Sequence, residues 1–211
     1  MLSRRHFGKQ GLATGLAVLA GAATFPRVSA ATGSNSVETV DGLHAQPWFM
    51  NTFLELPEDL EETRSEGKRF AVIWEQEGCP YCREMHRVNF SRADVSDFIR
   101  DRFGVLQLDL LGSRKVTDFD GEVIEEKNLA RKWRVHFTPT IQFFPVSLEA
   151  VNKRSGGDAE VARMPGYFKP FHFITMFEYV DQRAYERAGY QDFLREKIRR
   201  LLSEGKTPEI W

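Results

Sequence analysis

Cysteine is scarce in this sequence, since Cys79 and Cys82 are the only two among its 211 residues. A closed zinc site usually takes four ligands, often from two such pairs, so a structural zinc site is not predicted. The sequence also lacks internal repeats, which excludes a solenoid, and its net charge of −1 predicts no nucleic-acid partner. Beyond the N-terminal segment, no apolar run is long enough to span a bilayer. These absences leave a globular chain of about one domain's length.

The first 30 residues have the composition of an export signal. Residues 3–9 read SRRHFGK, which matches the twin-arginine pattern S-R-R-x-F-x-K. A mildly apolar segment rich in glycine and alanine follows, and the tripeptide VSA that ends at Ala30 resembles a cleavage site. No acidic residue precedes Glu38, which argues against an ordinary amphipathic helix. We therefore predict that residues 1–30 are a twin-arginine signal peptide, cleaved near Ala30, and that the mature protein is periplasmic.

The rest of the chain divides into an extension and a domain. Residues 31–55 are predicted to be a linker and N-terminal extension, polar as far as Gln46 and then apolar. Five apolar residues of the extension are expected to dock on the core: Trp48, Phe49, Met50, Phe53 and Leu54. Residues 56–211 are predicted to form the domain, with a helical extension at its C-terminus.

Hydrophobic periodicity within the domain predicts alternating strands and helices. Strands are expected near Phe70, Phe103 and Thr140, and an edge strand is expected from Ala159 to Met164. Helices are expected near Pro57, Pro80, Glu125, Pro170 and Phe193, with a further short helix capped by Ser91. The order β-α-β-α in the first half predicts a parallel pair of strands joined by a right-handed crossover.

The chemistry is concentrated in the stretch FAVIWEQEGCPYCREM, where a buried strand leads into a helix through Cys79-Pro80-Tyr81-Cys82. At a helix start, free N–H groups and the positive end of the helix dipole stabilise a thiolate, which is the nucleophilic form of cysteine. Pro80 suits the first helical position, because its missing N–H would have no helical partner there. We predict that an exposed Cys79 attacks and that a more buried Cys82 resolves the mixed disulfide.

Two other interpretations of the cysteine pair remain open. A purely structural disulfide would close a very short loop, and so would constrain the unfolded chain little. The pattern CxxCxxxH also places Cys79, Cys82 and His86 roughly on one helix face, where they could bind a soft metal such as copper.

A second signal is Thr138-Pro139-Thr140, which precedes an apolar strand. A proline at the start of a strand has no backbone N–H to donate to the hydrogen-bond ladder of the sheet, so it requires a turn or a cis bond. An ordinary trans turn is the alternative. A cis bond would turn the backbone of Thr138 toward the cysteine pair, where it could pair with an extended peptide from a substrate.

This order of motifs resembles the thioredoxin superfamily over about residues 60–177. The resemblance implies a thioredoxin-like α/β fold, with a central mixed sheet flanked by helices, to which this chain adds a C-terminal helix. It implies that Cys79 is the nucleophile, that Cys82 resolves, and that Pro139 is cis and faces the disulfide. Its candidate substrate contacts are Thr138, Pro80 and Tyr81.

Four segments are similar to the SoxW-type periplasmic thioredoxins of bacterial sulfur-oxidation (Sox) clusters. They read EQEGCPYCREMH, DLLGSRKVTDFDGE, LARKWRVHFTPT and RMPGYFKPFHF. This resemblance implies thiol–disulfide exchange with protein partners during thiosulfate oxidation, with electrons supplied by a membrane thiol transporter of the DsbD/CcdA kind. We also expect a monomer with no cofactor beyond the Cys79–Cys82 disulfide.

The sequence departs from the family at its buried acid. Thioredoxins keep an acid six residues before the nucleophile, and this chain has Ile73 there. Glu75 or Glu77 could take its place, or both could be solvated at the strand end. His86 could tune the thiolate if it turned toward Cys79.

The predicted function is therefore reduction of disulfides or sulfur-modified thiols in the periplasm. A disulfide oxidase or isomerase is the first alternative, although an isomerase usually needs a dimerisation domain and the linker is too short for one. A non-catalytic copper carrier using Cys79, Cys82 and His86 is the second.

Overall fold

The structure is a computed structural model that describes residues 37–38 and 42–208. The predicted signal peptide and its cleavage position lie outside the described residues, as do residues 31–36 and 39–41 of the predicted linker and extension. The strands are β1 (Val37–Glu38), β2 (His44–Ala45), β3 (Arg69–Glu75), β4 (Phe103–Asp109), β5 (Lys115–Thr117), β6 (Val123–Glu125), β7 (Thr140–Phe143) and β8 (Ala162–Pro165). No helix within the described residues is long and apolar enough to cross a membrane.

Within the part of the chain that the structure describes, eight α-helices surround these strands. They are α1 (Leu56–Ser65), α2 (Pro80–Glu84), α3 (Ala93–Arg102), α4 (Glu126–Lys132), α5 (Leu148–Val151), α6 (Gly156–Ala159), α7 (Pro170–Asp181) and α8 (Tyr190–Ser203). A π-helical turn, Met85–Asn89, continues α2 directly, and a 3-10 turn, Ala184–Glu186, follows α7.

The central sheet has the strand order β4-β3-β7-β8. The first pair, β3 and β4, is parallel, as a strand–helix–strand crossover requires, whereas β7 and β8 are both antiparallel to their neighbours. This confirms the predicted mixed sheet flanked by helices. The segment that follows β4 forms the small antiparallel hairpin β5–β6.

The two faces of β3 bury two different cores, because its side chains alternate. Phe70, Val72 and Trp74 pack with α1, α4 and the β5–β6 hairpin. Ala71 and Ile73 pack with the π turn, α3 and α7. A side chain at position 75 therefore points into the second core.

The predicted C-terminal helix is present as α8. Leu194 and Lys197 are its buried residues, and Lys197 Nζ binds Thr175 Oγ1 of α7 at 3.0 Å. Phe193 packs against Tyr179 of α7, with ring centroids 5.4 Å apart. The helix thus covers α7 on the side away from the sheet.

Three local predictions are corrected. Ser91 does not cap α3: the N-cap is Arg92, and the Ser91 hydroxyl donates to the Arg87 carbonyl at 2.6 Å. The edge strand begins at Ala162 rather than Ala159, because the short helix α6 occupies the preceding residues. Phe53 is 94% exposed and does not dock on the core.

Candidate redox site

The cysteine pair lies where β3 leads into α2. The Cys79 amide donates to the Gln76 carbonyl at 3.3 Å, which closes the connecting turn. Gly78 has a φ of 71°, a left-handed conformation that glycine adopts at no steric cost. Cys79 is the N-cap of α2, with extended backbone angles, and Pro80 occupies the first helical turn.

Cys79 and Cys82 form a disulfide, with their Cα atoms 5.3 Å apart. The Cys82 amide donates to Cys79 Sγ at 3.1 Å, in the manner of an N-cap. Cys79 is 8% exposed and Cys82 only 1%. Cys79 is thus the more accessible sulfur, although it is much less exposed than we predicted. In the reduced protein, the helix N-terminus would stabilise negative charge on Cys79.

Thr138 and Pro139 face the disulfide across the head of β7. The Thr138–Pro139 peptide is cis. The Thr138 carbonyl oxygen lies 3.7 Å from Cys79 Sγ, and the Thr138 hydroxyl donates to the same sulfur at 3.3 Å. Pro139 is buried, and its carbonyl accepts from the Gly166 amide at 2.7 Å. Two donors, this hydroxyl and the Cys82 amide, therefore converge on Cys79 Sγ.

The surface around the disulfide is partly apolar. Tyr81, between the two cysteines, is 61% exposed, and Phe137, beside Thr138, is 54% exposed. Pro80 is exposed as well. Of the three predicted substrate contacts, Pro80 and Tyr81 are therefore exposed, and Thr138 contacts Cys79.

A buried polar network surrounds Glu75. Its carboxylate is wholly buried and accepts from His86 Nε2 at 2.9 Å and from Gln107 Nε2 at 3.0 Å. His86 Nδ1 in turn lies 2.9 Å from Gln46 Nε2. Within residues 42–208, no lysine or arginine forms an ion pair with Glu75. Of the two alternatives for Glu75, the structure therefore shows burial rather than solvation.

The other tuning candidates lie elsewhere. Glu77 is exposed, and its side chain lies against Gly42. Ile73, at the position of the family acid, is wholly buried among apolar side chains. Glu75, two residues further along β3, points into the same core as Ile73.

His86 is poorly placed to bind a metal with the cysteines. It is 1% exposed, and both of its ring nitrogens have hydrogen-bond partners, Glu75 and Gln46. No group of three or more His, Cys, Asp or Glu side chains in the described part of the chain could hold a metal ion.

Comparisons with known proteins identify the family of this chain. A family model described as a thioredoxin-like domain matches residues 56–181. The chain belongs to the thioredoxin-like domain family. A search of curated proteins found no match.

Solved structures of the same fold resemble this thioredoxin-like protein. A thioredoxin-fold protein from Helicobacter pylori is 19% identical, with a TM-score of 0.48, over 74% of this chain and 90% of that chain. A thioredoxin from Thermus thermophilus is 26% identical, with a TM-score of 0.43, over 60% and 83%. The C-terminal domain of DsbD from Neisseria meningitidis is 14% identical, with a TM-score of 0.40, over 62% and 96%.

Sequence reasoning missed the two glutamines of the Glu75 network. Gln46 was assigned to a polar linker, but it is 5% exposed and packs on the thioredoxin-like domain. Gln107 interrupts the apolar run of β4, and a polar residue inside a buried strand is a signal that could have been followed.

A second buried carboxylate, Asp118, was also missed. It accepts hydrogen bonds from the backbone amides of Phe119 and Gly156 at 2.7 and 3.0 Å, and from the side chains of Trp133 and Ser155 at 3.1 and 2.8 Å. Lys132 Nζ lies 2.8 Å from the same carboxylate. This network belongs to the core on the α1 and α4 side of the sheet.

Proposed function

We propose that this protein is a periplasmic thiol–disulfide oxidoreductase that reduces disulfides or sulfur-modified thiols of partner proteins. The observation that carries the proposal is the Cys79–Cys82 disulfide at the N-terminus of α2, facing the cis Thr138–Pro139 peptide. Membership of the thioredoxin-like family supports it.

The first step is attack by the reduced protein on a partner. The Cys79 thiolate attacks one sulfur of a partner disulfide, which forms a Cys79–partner disulfide and breaks the partner's own bond. The sulfur that leaves takes a proton from solvent. The Cys82 amide and the Thr138 hydroxyl stabilise the attacking thiolate, since both lie within hydrogen-bond distance of Cys79 Sγ.

The second step releases the partner. Cys82 loses its proton and attacks Cys79 Sγ, which forms the Cys79–Cys82 disulfide and expels the partner's thiolate. Two electrons have then passed to the partner. We propose that Glu75 accepts the proton of Cys82, in place of the acid that this chain lacks at Ile73. A membrane thiol transporter of the DsbD/CcdA kind would return two electrons and restore the dithiol.

Substrate binding would use the surface around the disulfide. The backbone of Thr138 can pair with an extended peptide, and the exposed rings of Tyr81 and Phe137 offer apolar contacts beside it. The SoxW-type segments and the twin-arginine sequence extend the proposal to sulfur oxidation in the periplasm by a monomeric protein.

Trapping with cysteine variants tests this proposal. Cys82→Ser should accumulate a mixed disulfide between Cys79 and a periplasmic partner, because the resolving sulfur is gone. Cys79→Ser should trap nothing. Equal trapping by the two variants would contradict the roles assigned to the cysteines.

The alternative functions have their own tests. An insulin-reduction assay with a measured reduction potential separates a reductase from an oxidase, because an oxidase would have a markedly more oxidising couple. A copper carrier would retain stoichiometric metal through dialysis of the reduced protein. The engagement of both His86 ring nitrogens argues against that carrier.

A further inference from the structure

Residues 43–50, here called the strap, precede the family-matched domain and cover His86. Gln46 reaches Nδ1 of His86, and the rings of Phe49 and His44 lie 5.9 and 5.8 Å from the imidazole ring. The Met50 amide donates to the Val105 carbonyl at 2.8 Å, which fixes the end of the strap on β4. A segment outside the family-matched domain thus contributes directly to the polar network around Glu75.

Gln46 determines where His86 carries its proton. The side-chain NH₂ of Gln46 can only donate, so Nδ1 of His86 accepts. The proton of a neutral imidazole is then on Nε2, which donates to Glu75. Gln46 and Glu75 together therefore fix one tautomer and one orientation of the ring, with Nε2–H directed at the carboxylate.

The strap contacts Glu75 by a second route. Gln107 donates one hydrogen bond to Glu75 at 3.0 Å and another to the His44 carbonyl at 2.5 Å. The amide of Gln107 is thereby oriented by the strap and by the carboxylate together. Both hydrogen-bond donors of Glu75 are consequently held in place by strap residues.

This network lies one helical turn from the resolving cysteine. Cys82 and His86 are four residues apart, and each is 1% exposed. Side chains at this spacing on a helix share a face, with Cβ atoms about 5–6 Å apart. Glu75 points into the same core from β3. A change in the orientation of His86 would therefore alter the hydrogen bond that Glu75 accepts, one helical turn from Cys82.

We propose that Gln46 is a positioning residue for the exchange reaction. It fixes the ring of His86 so that Nε2–H is directed at Glu75, and this hydrogen bond orients the carboxylate that takes the proton of the Cys82 thiol in the second step. Without the Gln46 donor, Nδ1 is buried without a partner, the ring is no longer fixed, and the carboxylate loses its alignment. This inference rests on the proposed function and assigns the strap a role in its second step.

The test separates the two steps of exchange. Reduced protein is mixed with a chromogenic aromatic disulfide in a stopped-flow instrument. Release of the first aromatic thiolate reports attack by Cys79, and release of the second reports resolution by Cys82. In Gln46→Leu the rate of release of the first thiolate should stay within about twofold of the wild-type rate. A positioned general base accelerates a reaction about 10²–10⁴-fold, so its mispositioning should slow the release of the second thiolate about tenfold.

A spectroscopic measurement and a reversed hydrogen bond sharpen this test. The ¹⁵N shifts of His86 should indicate the Nε2–H tautomer in the wild type, and the Nδ1 shift should change in Gln46→Leu, where that nitrogen loses its donor. Gln46→Glu offers only an acceptor, which requires a proton on Nδ1, and should slow resolution at least as much.

Gln142→Leu is the matched control. Gln142 is also wholly buried, but it accepts from Trp74 Nε1 at 2.7 Å and donates to Glu160 at 2.7 Å, in the other core. The Gln142→Leu variant should be less stable than the wild type, but the ratio of its resolution rate to its attack rate should be unchanged. If Gln46→Leu leaves that ratio or the ¹⁵N shifts unchanged, the inference is wrong. If the wild type shows no first phase, the proposed function itself fails.

Discussion

Glu75 and Asp118 are both wholly buried carboxylates, but they belong to opposite faces of the sheet and differ in what surrounds them. Asp118 has four hydrogen-bond donors and a lysine. Glu75 has two donors, an imidazole and an amide. A fully satisfied carboxylate paired with a cation stabilises a fold, whereas one without a cation remains able to take a proton. The comparison thus separates a structural acid from one suited to chemistry.

The largest expected effect is a loss of stability on changing Asp118. Asp118→Asn removes the charge that Lys132 neutralises and presents an amide to donors that need an acceptor. Breaking a buried pair in this way costs about 3–5 kcal/mol, so we expect a loss of about 3 kcal/mol in the free energy of unfolding. Urea denaturation measures it. The exchange rates of the folded variant should equal those of the wild type, and a selective loss of resolution would contradict the comparison.

Glu75→Gln should slow exchange more than it destabilises the fold. The amide cannot take the Cys82 proton, so resolution should slow about 100-fold, while the free energy of unfolding falls by about 1–2 kcal/mol, less than for Asp118→Asn because no cation is left unpaired. Stopped-flow exchange and denaturation measure the two quantities. Glu77→Gln is the control, because Glu77 is an exposed carboxylate two residues after Glu75. It should change neither the rate of resolution nor the stability. A similar loss of resolution in both variants would contradict the role of Glu75.

Lys132→Met makes the Asp118 network resemble that of Glu75 by removing its cation. Burial opposes the charge of Lys132, but hydrogen bonds to Asp118, Asp120 and Glu122 outweigh it and raise the pKa of the lysine. We expect a loss of about 2 kcal/mol, less than for a fully buried pair because the lysine is partly exposed.

The sign of that pKa shift determines the pH dependence. A lysine with a raised pKa contributes stability that is fully present below its unfolded value and is lost only as the pH rises through its folded value. The difference in stability between wild type and Lys132→Met should therefore be constant from pH 6 to 9. A difference that disappeared near neutral pH would contradict this account.

A third buried carboxylate, Asp59, supplies the smallest effect. Burial, opposed by a hydrogen bond from Thr52, raises its pKa to about 6. The folded protein then binds more protons than the unfolded chain between about pH 4 and 6, so stability falls as the pH rises through that range. Asp59→Asn should gain about 1 kcal/mol at pH 7.5 and nothing at pH 3. Thermal melts at the two pH values measure this, and a destabilised variant at pH 7.5 would oppose it.

Much of the fold could be predicted from local sequence, because local sequence determines it. The apolar run of β3, the proline at the start of α2 and the amphipathic pattern of α8 each specify an element without help from distant residues. The resemblance then implied how these elements assemble, and the mixed sheet confirms it.

The burial of Glu75 could not be predicted in the same way. A carboxylate at a strand end is solvated or buried according to its tertiary partners, and those partners come from far along the chain. Gln107 is 32 residues away from Glu75, and Gln46 is 40 residues away from His86. The same holds for Asp118, which binds Ser155 across 37 residues. Sequence patterns report periodicity within an element, and these contacts join different elements.

Site-resolved alkylation of the reduced protein across a pH series tests the central claim most directly. The account predicts that Cys79 is modified with a midpoint below the value of about 8.5 for a free thiol, while Cys82 reacts slowly over the same range. Mass spectrometry of each cysteine gives both titrations in one experiment. Ionisation of Cys79 at the value of a free thiol, or equal reactivity of the two sulfurs, would contradict it.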